Sequence, residues 1–374
     1  MYTNKVSREK LRSVILTVVL VLLISAVFTV PVFAATKLDN PISGDRTVMM
    51  AAAGKYTTDI DNGIYSVSVQ DMIGRYGEGT YTIATGSGHP VPVKNVLYGG
   101  VDHDPGSTYL TVRVYETGKE YVSTTSGPDH SPGYTVVALD DCSPDTALSG
   151  NEIYTRWTTG EGLLINQTIA VEGSTPADSR VRVTTRIINN NDTSDLSVGV
   201  RYVWDLMICD EDGSWFAERR PDSDWIDTEC EWVPPGFRNY AATNDPNSSI
   251  FIVRGNLTGY DALVPPATTP HRLQFVAWGS SGDGVFDHAF DYTPTGQTLA
   301  GLGSDSAITY YWGGDETNAI TLSPGESVSV TQYLYVTPPP PLLVPNLAPI
   351  GIAALIGLLA FIGAGAIAKR RRSD

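Results

Sequence analysis

Cysteine and histidine are scarce in this chain of 374 residues, which has three cysteines and five histidines. An odd set of three cysteines is too small to build a disulfide framework for a chain of this length. The sequence also contains no Cys-x-x-Cys pair and no zinc-type cluster. These absences exclude a disulfide-built scaffold and a structural zinc domain. A bond between Cys209 and Cys230, which would leave Cys142 free, stays open.

The motifs of several enzyme classes are absent as well. There is no Gly-x-Ser-x-Gly, no His-Glu-x-x-His and no phosphate-binding loop. Histidine stands beside aspartate in segments 102–104 and 287–291, where a carboxylate could tune a general base or help to hold a metal. With 41 acidic residues in the chain, such neighbours are also expected by chance. We therefore favour a protein that is not an enzyme, although paired carboxylates for glycoside cleavage leave no local signature.

Basic residues are few relative to acidic ones. The chain has 25 lysines and arginines against 41 aspartates and glutamates, a net charge of −16. Such a surface repels the phosphates of nucleic acid, so we expect no nucleic-acid partner. The acidity is compatible with solubility at high salt or with bound cations, and it does not choose between them.

The N-terminal segment has the order of a secretory signal. Basic residues between positions 5 and 12 precede an uncharged apolar run over 14–30, and a small-residue cleavage position follows at Ala34. Because the apolar run is slightly long for a signal, an uncleaved anchor is the alternative. We predict a signal peptide over 1–34 and a flexible segment over 35–60, with the following residues exported.

The C-terminal segment predicts a membrane anchor. Residues 347–368 carry no charge, and their length matches the roughly 20 apolar residues that cross a bilayer. The basic tail 369–374 follows, and basic residues stay on the cytoplasmic side. Four consecutive prolines within 338–346 favour an extended polyproline II stalk. We therefore predict a stalk, a transmembrane helix and a cytoplasmic tail, with the ectodomain over 61–337 at the cell surface.

This ending resembles the C-terminal sorting signals of archaeal and bacterial surface proteins, which combine a proline-containing motif, one hydrophobic helix and a basic cluster. In those families a sortase-type transpeptidase cuts at the motif. The motif position here, Val344 to Leu347, reads Val-Pro-Asn-Leu and departs from the Pro-Gly-Phe and Pro-Glu-Phe versions. The resemblance implies an exported prokaryotic, archaeal protein with a sortase-type enzyme as a partner, whereas permanent anchoring is the simpler interpretation.

The middle of the chain alternates apolar and polar residues, as half-buried strands do. The clearest runs are 107–116, 162–171, 179–189 and 326–336. Further strands are predicted at 64–69, 91–98, 134–139, 197–208, 249–254, 272–278 and 307–312. No convincing amphipathic helix occurs between residues 60 and 337. The predicted fold is all-β, a large antiparallel β-sandwich that forms either one body or two in series.

The segment 199–216 runs from a predicted strand into an acidic turn. Asp210 and Asp212 are hard oxygen donors two residues apart, and Asp222 and Asp224 could complete a site for calcium, the one cofactor that the sequence predicts. The alternative is an ordinary solvated Asp-Gly turn, because the full calcium-loop pattern is missing.

Three tryptophans lie in the same region, and exposed tryptophans beside carboxylates are typical of sugar-binding sites. These candidates are Trp215, Trp225 and Trp232, with burial in the core as the alternative for each. The run over 199–216 resembles segments of secreted β-sandwich proteins of the mutarotase-like, carbohydrate-handling kind. That resemblance implies a large sandwich.

Four Asn-x-Ser/Thr motifs, at Asn166, Asn191, Asn247 and Asn256, would be accessible to glycosylation outside the cell. Together these features predict a membrane-anchored surface protein with a structural, adhesive or carbohydrate-binding ectodomain, and polysaccharide or envelope components as partners. The alternative is a carbohydrate-active enzyme, a glycoside hydrolase, lyase or epimerase, which would need converging carboxylates or a histidine with a carboxylate in a cleft.

Overall fold

A computed structural model describes residues 56–73, 76–124, 129–218, 224–233, 239–248, 250–257, 267–279, 284–301 and 303–337. All of these belong to one compact unit. The predicted signal peptide, stalk, transmembrane helix and tail lie outside the described residues. Within the described part, no helix combines the length and apolar character needed to span a membrane.

The described residues form twenty strands and two short 3-10 helices. In chain order the strands are β1 Thr57–Asp61, β2 Tyr65–Gln70, β3 Tyr81–Thr85, β4 Asn95–Leu97, β5 Tyr109–Val114, β6 Lys119–Val122, β7 Thr135–Ala138, β8 Asp145–Ser149, β9 Glu152–Thr158, β10 Leu163–Glu172, β11 Arg180–Asn189, β12 Leu196–Cys209, β13 Trp215–Glu218, β14 Cys230–Trp232, β15 Asn239–Thr243, β16 Ile252–Asn256, β17 Arg272–Ala277, β18 Ser306–Trp312, β19 Ile320–Leu322 and β20 Ser327–Thr337. The 3-10 helices are Leu139–Asp141 and Val285–Asp287.

Two sheets contain these strands. The larger has twelve strands and follows the order β1-β2-β3-β4-β12-β18-β17-β14, with β19 and β5 also paired to β12, and β6 and β7 beyond β5. The smaller has eight, in the order β13-β15-β16-β20-β11-β10-β9-β8. Neighbouring strands are antiparallel except for β6 and β7. The all-β prediction is therefore confirmed, and the two sheets share one apolar core, as in a β-sandwich.

Alternation places the core residues in the smaller sheet. On β11, Val181, Val183 and Ile187 are buried, whereas Arg182 is half-buried and Arg186 is exposed. Arg182 pairs across the outer face with Glu152 (2.5 Å) and Glu172 (2.7 Å). The predicted runs 162–171, 179–189 and 326–336 correspond to β10, β11 and β20.

The central strand β12 is buried on both faces, unlike a strand that covers only one side of a core. Val200, Tyr202 and Trp204 belong to the core between the sheets. On the opposite face, Val203 packs in a second apolar cluster with Val285, Ala289 and Tyr292, among others. Residues 284–292 therefore cover the outer face of the large sheet and create a sheltered polar layer there.

Candidate functional site

A cavity of about 360 Å³ opens beside β14 and β17, on the edge of the large sheet. It is lined by Glu231, Val233, His271, Arg272, Asp315 and Asn318. The first two residues come from β14 and the position after it, the next pair from the start of β17, and the last pair from the β18–β19 turn. Three separate chain segments thus contribute to one polar cavity.

Arg272 is held by its ring contact rather than by close ion pairs. Its guanidinium lies 3.8 Å from the ring centroid of Tyr311. The nearest oxygens of Glu231 and Asp291 stand 3.6 and 4.0 Å away, longer than hydrogen bonds. Glu231 accepts a hydrogen bond of 2.7 Å from the Gln274 amide. The arginine and the glutamate are therefore positioned side by side, with hydrogen-bonding capacity left for a ligand.

The surroundings of His271 favour its neutral imidazole. Burial lowers its pKa, and the positive charge of Arg272 lowers it further. The backbone N–H of Gly314 donates to Nε2 at 3.2 Å. A Cβ atom at Gly314 would clash with the imidazole ring. Glycine at this position thus lets the β18–β19 turn approach the histidine closely.

The β18–β19 turn is fixed by its own hydrogen bonds. The Asp315 carboxylate accepts from the backbone N–H groups of Thr317 and Asn318, each at 2.9 Å, and from the Asn318 side-chain amide. The Asn318 hydrogen bond is the main cause that lowers the pKa of Asp315. An ionised carboxylate and an amide are therefore presented at the cavity rim.

A buried ion network continues from the cavity along the outer face of the large sheet. Arg113 pairs with Glu120 (2.5 Å) and with Asp291 (2.6 Å), which also faces Arg272. The Arg113 guanidinium lies 4.1 Å from the ring centroids of both Tyr134 and Phe290. This packing fixes the position of Asp291 beside the cavity.

The tryptophans predicted to bind sugar do not line this cavity. Trp215, Trp225 and Trp232 are all half-buried. Trp232 meets Phe275 edge-on at 4.5 Å and packs against the core. A role for them in sugar binding stays a prediction. The cavity residues were not identified from the sequence, and the only signal was the adjacent His271 and Arg272 at the start of a predicted strand.

The predicted calcium ligands differ in exposure and in their contacts. Asp210 pairs with Lys94 at 3.0 Å on the surface, whereas Asp212 is half-buried and Asp224 is exposed. Asp222 lies outside the described residues. In the part of the chain that the structure describes, no three histidine, cysteine or acidic side chains are placed to hold a metal. Calcium at Asp210 and Asp212 stays a prediction.

In the two histidine–aspartate segments the histidines contact other groups than the cavity residues, whereas Asp291 of the second segment faces Arg272. His103 Nδ1 stands 2.6 Å from the Ser68 hydroxyl oxygen. Burial lowers the pKa of His288, and the Arg201 charge adds to the effect. The backbone oxygen of His288 accepts a hydrogen bond from Arg201. Neither histidine lines the cavity.

The glycosylation candidates differ in exposure. Asn247 is exposed, Asn166 and Asn191 are half-buried, and Asn256 is 1% exposed. Asn256 is therefore inaccessible in the folded chain, whereas Asn247 is accessible.

The three cysteines are free thiols in the folded chain. The proposed bond between Cys209 and Cys230 is therefore not formed. Cys209 ends β12 and Cys230 begins β14, and these strands are not neighbours in the large sheet. The spacing of cysteines in the sequence does not indicate the order of strands in the sheet.

The sequence matches no protein-family model and no curated protein. In fold it is similar to a candidate aldose 1-epimerase from Escherichia coli K12, with a TM-score of 0.41 and 12% identity over 75% of this chain and 98% of that chain. A galactose mutarotase related enzyme from Lactobacillus acidophilus gives a TM-score of 0.45 and 11% identity over 76% and 98%. A GH36 alpha-galactosidase from Geobacillus stearothermophilus gives 0.36 and 10% over 76% and 41%. Mutarotase-related proteins are thus among the structural neighbours, and no substrate or activity follows from similarities at this level.

Proposed function

We propose that the chain is a membrane-anchored surface protein whose β-sandwich binds a saccharide in the cavity beside β14 and β17. The observation that carries this proposal is the set of carboxylate, amide, guanidinium and imidazole groups around one small cavity. Sugar hydroxyls both donate and accept hydrogen bonds, so they are matched by such mixed, fixed groups. Val233, which is 59% exposed, offers an apolar contact at the rim.

The charges of the cavity favour a neutral or amino sugar over an acidic one. Glu231 and Asp315 contribute two negative charges, Arg272 contributes one positive charge, and the lowered pKa of His271 favours its neutral form. A uronate would bring a further negative charge beside two carboxylates, which opposes binding. Neutral envelope polysaccharides are therefore the first ligands to test.

The direct test is binding of neutral, amino and uronic oligosaccharides to the full-length chain in detergent, measured by calorimetry. We expect binding of the neutral or amino sugars and at least a tenfold weakening, about 1.4 kcal/mol, in Glu231→Gln and Asn318→Ala. Asp195→Asn, an exposed acid that does not line the cavity, is the control and should bind like the unmodified chain. Equal binding by all variants would place the ligand elsewhere.

A carbohydrate-active enzyme is the second candidate, and one observation favours it. A neutral imidazole, His271, shares the cavity with the carboxylate of Glu231, and such a pair can exchange protons with a bound sugar. Turnover that disappears in both Glu231→Gln and His271→Gln, with the fold intact, would favour the enzyme. Binding without release or isomerisation of the sugar over long incubation would favour the binding protein.

A further inference from the structure

Three aspartates lie on adjoining segments where the end of β12 approaches the start of β18. Asp205 lies opposite Ala307 in the β12–β18 register, and Asp305 directly precedes β18. The turn after β12 folds onto the same place, because the backbone oxygen of Asp212 accepts from the N–H of Ser306 at 3.0 Å and from its hydroxyl at 2.9 Å. Residues 100 positions apart in the chain are thus brought together.

The three carboxylates are sheltered from water and incompletely hydrogen-bonded. Asp205 is 3% exposed, and Asp212 and Asp305 are half-buried. Within the described residues, Oδ1 of each of the three is buried and accepts no hydrogen bond. The hydroxyl of Ser214, two residues after Asp212 and fully buried, likewise has no hydrogen-bond partner there. Buried polar atoms in folded proteins nearly always have a hydrogen-bond partner. Four unpaired oxygens in one region therefore point to a ligand that would bind them.

Among the described residues, no positive side chain balances these charges. In the described part of the chain, none of the three carboxylates forms an ion pair with a lysine, arginine or histidine. Burial raises the pKa of Asp305 to about 7, and the negative charge of Asp212 adds to the effect. Burial and the charge of Asp305 also raise the pKa of Asp205. The nearby Lys94 is engaged with Asp210 instead.

We propose that Asp205 and Asp305 are ligands of a hard divalent cation such as Ca²⁺, with Asp212 as a third negative charge beside it. Calcium takes six to eight oxygen ligands, which include hydroxyls, backbone carbonyls and water as well as carboxylates. The carboxylates of Asp205 and Asp305 and the Ser214 hydroxyl would supply part of this ligand set, and backbone carbonyls and water would supply the rest. This site differs from the calcium turn expected from the sequence, because Asp210 is outside it.

A bound cation would join the end of β12 to the start of β18. These two strands form the centre of the large sheet, and the β18–β19 turn that follows carries Asp315 and Asn318 of the cavity. Binding to the folded chain alone stabilises it in proportion to the logarithm of the cation concentration. The cation would thus support the sandwich independently of any saccharide.

The test uses the full-length chain, stripped with EDTA and then titrated with Ca²⁺ or Mg²⁺ at pH 7.5, with Tm and calorimetry as readouts. We expect Ca²⁺ to raise Tm in a concentration-dependent way. Asp305→Asn should weaken binding by more than about tenfold, the loss that even outer partners of metal sites cause. Asp210→Asn is the matched control and should keep the full response.

Terbium luminescence gives a second readout that does not depend on stability. Tyr98 is 47% exposed, and its backbone N–H donates to the backbone oxygen of Asp205 at 3.0 Å, so the residue lies beside the cluster. Terbium added to the chain should be sensitised by tyrosine excitation and displaced by Ca²⁺, with loss of the signal in Asp305→Asn. Two results would each overturn the proposal. One is a Tm that does not change with Ca²⁺, together with an Asp305→Asn variant that is more stable than the unmodified chain in EDTA. The other is a response lost in Asp210→Asn and kept in Asp305→Asn.

Discussion

Glu229 is a single buried carboxylate that organises a loop. Its Oε2 accepts from the backbone N–H groups of Thr295 (2.7 Å), Gly296 (3.0 Å) and Gln297 (3.2 Å). Its Oε1 accepts from the Tyr292 hydroxyl at 2.7 Å and from the backbone of Ala277. Although burial alone would raise it, the pKa of Glu229 is lowered by these hydrogen bonds. The residue precedes Cys230 and Glu231, so it also anchors β14 at the cavity.

Replacement of this carboxylate should cost stability and leave the cavity groups unchanged. We expect Glu229→Gln to lower the free energy of unfolding by about 3 kcal/mol, because hydrogen bonds to a charged group are lost and buried donors are left unpaired. Urea unfolding at pH 7 measures the change. Glu231→Gln, two residues away and exposed, should change stability by less than about 0.5 kcal/mol. Since the folded pKa is lowered, the Glu229 contribution is present above the ordinary value of 4.5 and is lost as pH falls below it.

The contribution of Asp305 to stability should depend on pH in the opposite direction. Its pKa is raised from 3.8 to about 7, so between these values the folded chain binds a proton that the unfolded chain does not. Stability in EDTA should therefore fall as pH rises from about 4 to 7. Thermal unfolding across this range measures the slope, and Asp305→Asn should flatten it. An equally steep slope in Asp305→Asn would assign the effect to other groups.

At the scale of elements, one arginine fastens the segment that covers the large sheet. Arg201 on β12 is fully buried, and its guanidinium donates to the backbone oxygens of Val285 (3.0 Å) and His288. The 3-10 helix Val285–Asp287 begins at one of these acceptors. The outer apolar cluster around Val203 and Tyr292 depends on this segment.

We expect Arg201→Met to release the cover before it unfolds the sandwich. The substitution removes both guanidinium hydrogen bonds to these backbone oxygens, so stability should fall by about 3 kcal/mol. Hydrogen exchange should increase first in residues 285–292, because that segment loses its anchor. Arg186→Met, which removes an exposed arginine from β11, is the control. Uniform exchange across both sheets in Arg201→Met would contradict a local anchor.

The β18–β19 turn should tolerate little added volume at Gly314. A Cβ there would clash with His271, so Gly314→Ala should displace the imidazole and weaken saccharide binding. Gly160→Ala is the matched control, because a Cβ at Gly160 has open space around it. Calorimetry with the same oligosaccharide compares the two. If Gly314→Ala binds as tightly as Gly160→Ala, the position of His271 has no part in recognition.

At the scale of the whole molecule, the proposed anchor places the sandwich outside the cell. Protease added to intact cells should then remove epitopes within residues 60–330 and spare a tag attached after Asp374. The basic residues 369–372 should stay inside because they are held on the cytoplasmic side. Immunoblots of both epitopes measure the outcome, with permeabilised cells as the control. Protection of the sandwich epitopes in intact cells would contradict the topology.

Local pattern was sufficient for the all-β architecture and for most of its long strands. Alternation in 162–171, 179–189 and 326–336 predicts β10, β11 and β20, because a strand that covers a core on one side repeats every two residues. The short strands β8 and β13 were not predicted, since few residues carry too little pattern. β9 was not predicted either, although buried Ile153, Thr155 and Trp157 alternate along it with more exposed residues.

The long strand β12 shows where the pattern stops being informative. Its sequence indicates a strand, and one face, with Arg201, Val203 and Asp205, contains charged residues. Only the packed structure places residues 284–292 over that face and buries both sides of the strand. From the sequence alone, a polar face is expected to contact solvent. The segment that covers it lies about 80 residues further along the chain, so local pattern does not reveal it.

The sequence by itself determined the class of fold, the acidity and the order of apolar and basic segments at both ends, because each of these is a property of neighbouring residues. Tertiary structure alone decided which side chains meet. Glu231, His271 and Asp315 line one cavity, and Asp205 and Asp305 share one junction, because the order of strands in the large sheet brings distant segments together. Sheet order depends on non-local pairing, which no local period encodes.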